Sequence, residues 1–181
     1  MSMWGAAKLE TRHREGSTLA RFGAQGDFIV GVDNPFIHLS RALRLGSRPG
    51  LPTVEEVDSN LLIRLGILGS THMLDVRSED PSSFRFLQYG NRISIHDGRE
   101  YSGRTLRDAE WPAVRLLAER DYAYAKKNGA ATLSQVELLW NERQFVYRRF
   151  IVPLAGNRGE VTHLLVATRP NLLKIVPSSF D

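Results

Sequence analysis

The stretch DPSSFRFLQYGNRI, residues 80–93, decides how this chain folds. Asp80 and Pro81 open a turn, and an extended segment follows. Strand alternation places Phe84, Phe86 and Gln88 on one face and Arg85, Leu87 and Tyr89 on the other. Neither face is plainly wet, so the reading is a strand in a sheet covered on both sides. Gly90 then stops the strand and turns the chain away.

Working outward, STHMLDVR (70–77) reads as the partner strand, joined to SFRFLQYG (83–90) across the turn SEDPSS, as in a hairpin. Downstream, residues 91–110 are irregular or helical pieces punctuated by Gly98 and Gly103. The longest helix follows, EWPAVRLLAERDYAYAKKNG (110–129), with Trp111, Val114, Leu117, Ala118, Asp121 or Tyr122, and Ala125 on one stripe. Asp108 and Glu110 suit its positive start, Lys126 and Lys127 its negative end, and Gly129 its stop. Three further strands are predicted: ATLSQVELLW (131–140), RQFVYRRFIVPL (143–154) and EVTHLLVAT (160–168). The links Asn141-Glu142 and AGNRG are too short for anything but antiparallel neighbours. The predicted core is an α+β fold, a five-stranded antiparallel sheet with helices on one face and an N-terminal helical extension.

Upstream, residues 1–26 read as a polar, flexible arm carrying a basic RHR at 12–14. DFIVGV (27–32) is a short strand or a docked extended segment. DNPFIHLSRALRLG is a marked helix: Asn34 caps it, Pro35 takes its first position, and Phe36, Leu39 and Leu43 line one face. Gly46 closes it. Thr53 and Glu56 have capping-box spacing, and Leu61–Arg64 reads as helical. The division is an arm (1–26), a helical cap (27–69), a core (70–169) and a tail (170–181).

The 181 residues are 42% hydrophobic and 24% charged, ordinary for a globular protein. With no cysteine, disulfides, thiolate metal sites and cysteine nucleophiles are excluded, which suits a reducing cytoplasm. No run approaches the roughly 20 apolar residues of a membrane span, and MSMWGAAKLETRHREGS lacks the apolar centre of a signal peptide. A cytoplasmic location without membrane contact is the expectation. The formal charge is +4 and the pI about 9.7. Only four of the 24 basic residues are lysine (Lys8, Lys126, Lys127, Lys174), and the arginines are dispersed among acids. A nucleic-acid footprint is usually a clustered stripe, so this dispersal disfavours nucleic acid as a partner.

GxSxG, P-loop, GxGxxG, HExxH and EF-hand patterns are absent. His13, His38, His72, His96 and His163 have no metal-ligand spacing. His96-Asp97 reads as two solvated loop groups. His163 alternates with apolar residues on the last strand; facing the interior, it would hydrogen-bond a ligand or, in a haem-binding variant, ligate iron. The simpler reading for His163, as for His72, is a satisfied structural histidine. On 143–152, Phe145, Tyr147, Arg149 and Ile151 share one face. Facing a pocket, Tyr147 and Arg149 can recognise a carboxylate or phosphate; the plain alternative is an arginine laid over apolar surface. Trp111, Tyr122 and Tyr124 read as packing, with Trp111 placed to wall a pocket. The candidate ligand contacts are Phe86, Trp111, Tyr147, Arg149 and His163. No catalytic or metal-binding residue stands out, and no motif supports haem or flavin.

LPTVEEVDSNLLIRL, HMLDV, DPSSFRFLQYGNRI, GREYSGRTLRD and YRRFIVPLAGNRGEVTHLLVA, in that order, resemble the motif run of a PAS-like family of bacterial, mostly proteobacterial, single-domain proteins. The likeness covers about residues 35–169. Tyr101-Ser102-Gly103-Arg104 keeps only the end of that family's "tGr" turn, and the family's proline is missing around Asp58–Gly66. The resemblance implies a PAS fold and a non-catalytic sensory or regulatory module. It implies an unknown small molecule between sheet and helices, and a protein partner or a homodimer on the outer sheet face. Residues 35–45 would be a lid on that face, with Leu87 and Tyr89 beneath it. The alternative is a small cone-shaped cyclase or isomerase using Asp75 and His163 in a cavity.

Overall fold

The computed structural model describes residues 20–21, 35–93, 98–140 and 143–170. The expectations for most of the arm, DFIVGV, Asn34, His96-Asp97, Asn141-Glu142 and residues 171–181 lie outside the described residues.

Strands β2 (Thr71–Asp75), β3 (Arg85–Gln88), β4 (Thr132–Trp140), β5 (Arg143–Ala155) and β6 (Val161–Pro170) form the expected antiparallel sheet. A two-residue strand β1 (Ala20–Arg21) adds to the edge of β4, giving the order β1-β4-β5-β6-β2-β3. The first hairpin and the last three strands thus meet through β2 and β6, which are far apart in sequence. The α+β, PAS-like architecture is present.

Each face of the sheet buries its own core. On the inner face lie Leu74, Val76, Phe84, Phe86, Ile151, Leu164 and Val166. They are covered by Tyr101 and Leu106 of the connecting segment and by Ala118, Tyr122 and Ala125 of α3 (Pro112–Asn128). Pro112 starts α3 where its missing N–H is harmless, and Gly129 ends it in the left-handed region, φ 56°. On the outer face, α1 (Pro35–Ala42) and α2 (Ser59–Arg64) cover Phe150, Val152, Leu154, Leu165 and Ala167. Phe36 stacks on Phe150 at 5.5 Å between centroids. The Thr53 N–H donates to Glu56 Oε2 (2.8 Å), as the capping-box spacing predicts.

The opening strand departs from simple alternation, and the reason is a β-bulge. Leu74 lies opposite Phe86, yet Met73 lies opposite Gln88, so Leu87 has no partner across the ladder. The bulge shifts the alternation by one residue. Tyr89 therefore joins Phe86 on the inner side instead of facing the lid: it stacks on His72 (4.9 Å, 9° between planes) and meets Phe86 edge-on at 5.2 Å. Leu87 is 48% exposed. The expectation that Leu87 and Tyr89 serve the outer cover is thus corrected. The lid exists, but over β5 and β6 rather than β3.

Gly90 has a steric reason. A Cβ there would stand 2.4 Å from the carbonyl oxygen of Gly69 and 2.7 Å from that of Thr71. The chain leaves β3 directly against the backbone that enters β2. The far edge of β3 is paired by the connecting segment: Phe86 N–H donates to Arg104 O (2.9 Å), and Gly103 N–H to Phe86 O (2.7 Å).

Candidate functional site: a buried ionic cluster between sheet and helix

Arg149 sits on the inner face of β5, with Ser134 opposite it on β4 and Thr168 opposite it on β6. One row along, Thr132, Ile151, Val166 and His72 face the same side. Tyr147 lies two residues before Arg149 on that face, as alternation predicts. Adjacent strands are about 4.8 Å apart, so these side chains form a compact polar patch under α3.

Arg149 is 2% exposed and forms an ion pair with Asp121 of α3, itself 3% exposed. The guanidinium also lies 5.3 Å from the centre of the Tyr122 ring. Burial works against its charge, but the oxygens of Tyr147, Tyr122 and Asp121 outweigh this and hold its pKa above the ordinary arginine value. Burial pushes the Tyr122 hydroxyl up to about 12 against the opposing pull of Arg149. Burial, reinforced by Arg149, lowers His72 to about 3, so His72 is neutral at physiological pH.

Asp121 is held twice. Its Oδ2 accepts from Arg149 Nη2; its Oδ1 accepts from Arg120 Nε (3.0 Å) and Nη2 (2.8 Å). Arg149 Nε, His72 Nδ1, Thr132 Oγ1 and Ser134 Oγ are buried with no hydrogen-bond partner among the described residues.

Of the five candidate residues, the structure brings Tyr147 and Arg149 together and puts Phe86 in the same inner core, in the aromatic group of His72, Tyr89 and Tyr101. Trp111 stands at the N-cap of α3, ten residues before Asp121 and so about 15 Å from it along the helix axis. His163 pairs in register with Asp75, but shares the outer side with Leu165 and Ala167. Its Nδ1 lies 2.9 Å from Thr162 Oγ1. Asp75 is held by Arg77, through Nε (3.0 and 3.1 Å) and Nη2 (2.5 Å), which lowers its pKa. The Asp75–His163 cavity pair of the enzyme alternative is therefore corrected: the two are cross-strand neighbours on the face away from Arg149, because β6 alternation gives the interior to Leu164 and Val166. Asp121, Ser134 and Thr132 were not singled out as site residues from sequence. The available signal was a carboxylate standing in the apolar stripe of the long helix.

No protein-family model matches this chain, and no curated protein does. Among solved structures, it is similar to an RNA-binding light-oxygen-voltage receptor (16% identity, TM-score 0.45, 68% of this chain and 36% of that one). It is also similar to the PAS domain of Bordetella pertussis BvgS (13% identity, TM-score 0.47, 65% and 90%). A third similar structure is a fungal light-oxygen-voltage photoreceptor domain (15% identity, TM-score 0.41, 74% and 91%). The chain spans about a third of the length of the RNA-binding receptor.

Proposed function

We propose that this chain is a non-catalytic sensory or regulatory module of the bacterial PAS-like kind. It binds a small molecule between the inner sheet face and α3 and passes the change to a protein partner or a second copy. The observation that carries this reading is the Asp121–Arg149 pair with unpartnered polar atoms around it. Buried polar groups in a finished core are nearly always hydrogen-bonded, and a few convergent polar groups in an apolar setting are the usual make-up of a ligand site. The same pair ties α3 to the sheet, so a ligand seated there would alter how the helix is held. Tyr147 and Arg149 are the candidate side chains best placed to take part, with the Tyr122 ring 5.3 Å from the guanidinium.

Native mass spectrometry of freshly purified protein tests this. The expected result is a small molecule that leaves on denaturation, with a dimer at micromolar concentration. A bare chain, together with amide spectra that do not respond to a metabolite extract, would overturn the reading.

A further inference from the structure

Two guanidinium groups share one carboxylate beneath α3. Asp121 Oδ2 accepts from Arg149 Nη2, and its Oδ1 accepts from Arg120 Nε and Nη2. Arginine keeps its proton in a protein, so the cluster sets two positive charges against one negative. The cation on the sheet has the weaker grip. Arg77 shows what the Nε–Nη2 edge can do, since it holds both oxygens of Asp75. Arg149 uses only Nη2 on Asp121. Its Nε, in a residue 2% exposed, has no hydrogen-bond partner among the described residues. Ser134 stands directly across from Arg149 on β4, which sets their Cβ atoms about 5 Å apart. Its hydroxyl, and that of Thr132 two residues along the same face, are also buried without a partner among the described residues. Three open donors therefore lie on one stretch of sheet, beside a cluster short of one negative charge.

From this arrangement we infer that the ligand bears a carboxylate, which takes the whole Nε–Nη2 edge of Arg149 and the Ser134 hydroxyl while Asp121 passes to Arg120 alone. The inference rests on the proposed binding function and narrows it from any small molecule to a carboxylic acid. The exchange leaves two guanidinium groups facing two carboxylates, so no buried charge stays uncompensated. A planar carboxylate matches the arginine fork through two parallel hydrogen bonds. A dianion, such as a phosphate monoester, overshoots the balance by one charge. Asp121 has somewhere to go. Arg120, its chain neighbour with a side chain 51% exposed, already holds its other oxygen. Entry of the ligand cuts the ion pair that ties α3 to β5, which couples occupancy to the seating of the helix.

Butyrate and butyramide are matched probes, alike in shape and different in charge. Nitrogen-15 NMR titrations of the full chain, read on the backbone amides and on the Arg149 Nε–H itself, should show butyrate binding at least about tenfold tighter than butyramide. Arg149→Lys keeps a cation facing Asp121 but removes the forked edge; Ser134→Ala removes the hydroxyl without touching the ion pair. Each should weaken butyrate by about tenfold, the order of one hydrogen bond to a charged group. Asp121→Asn removes the competing charge and should tighten butyrate by about tenfold, whereas an aspartate that only braces the helix would give no gain. Butyramide binding as tightly as butyrate would overturn the ligand class while leaving the binding function standing. Butyrate affinity unchanged in Ser134→Ala, and in Arg149→Lys if that variant folds, would overturn the site. No gain in Asp121→Asn would overturn the exchange of partners. Binding of neither probe would overturn the inference, and with no co-purifying molecule the binding function also.

Discussion

The two halves of the Asp121–Arg149 pair should not cost the same to remove. In Asp121→Leu, the Arg149 guanidinium keeps its full charge at 2% exposure and loses its only carboxylate partner among the described residues. Arginine cannot shed its proton in a protein. Breaking a buried pair in this way costs about 3–5 kcal/mol. In Arg149→Met, the carboxylate that remains still accepts two hydrogen bonds from Arg120, whose side chain is half in solvent. The expected loss is nearer that of one charged hydrogen bond, about 1.5–3 kcal/mol. The double variant Asp121→Leu/Arg149→Met leaves no uncompensated charge and should lie close to wild type, since apolar replacements of buried pairs are often neutral or better. Urea unfolding at neutral pH, followed by tryptophan fluorescence, reads all three as shifts in midpoint at constant slope. If the two single losses are equal and simply add in the double variant, the pair is not coupled and the buried cluster is wrong.

Other consequences can be measured on the same scale. His72 has a folded-state pKa of about 3 against an ordinary 6.5, so the unfolded chain takes up a proton first as pH falls. Stability is then complete above about pH 6.5 and is lost toward pH 3, by about 1.4 kcal/mol per unit once well below 6.5. Between pH 6.5 and 5, melting temperature should fall for wild type and fall clearly less for His72→Phe; parallel curves would contradict a buried neutral His72. His163 is shifted in the same direction and supplies part of the remaining slope. Gly90→Ala should cost about 1–3 kcal/mol, because its methyl would meet the carbonyls of Gly69 and Thr71, which are backbone; an unchanged melting temperature would show that this crossing is looser. Phe36→Ala should lose about 3–5 kcal/mol through the outer core, while Leu87→Asp should stay within about 0.5 kcal/mol. A large loss for Leu87→Asp in thermal melts would restore it to a covered face.

The arginine case also shows how far the sequence reaches. Alternation along RQFVYRRFIV places Tyr147 and Arg149 on one side of β5, and the structure keeps them there, because side-chain direction in an extended strand is local geometry. The same holds for the stripe of α3, the α1 face of Phe36, Leu39 and Leu43, and the caps at Pro112 and Gly129. Which side of the sheet is inside is not local. His163 and Leu164 alternate equally well either way, and docking of α3 over Leu164 and Val166 sends His163 outward.

The partner of Arg149 lies 28 residues earlier, on another element. No spacing rule links a helix carboxylate to a strand guanidinium; only the packing of α3 across β5 joins them. The carbonyls that oblige residue 90 to be glycine belong to residues 69 and 71, which meet it only once the hairpin closes. The bulge at Leu87 likewise exists only in the β2–β3 register, and one unpaired residue is enough to move Tyr89 to the opposite face. Element type and, away from the β3 bulge, the residues sharing a face followed from the sequence, because they depend on bonds and neighbours a few residues away. The inside of the sheet, the buried ion pair and the open donor beside it depended on contacts between distant segments, and only the tertiary structure decided them.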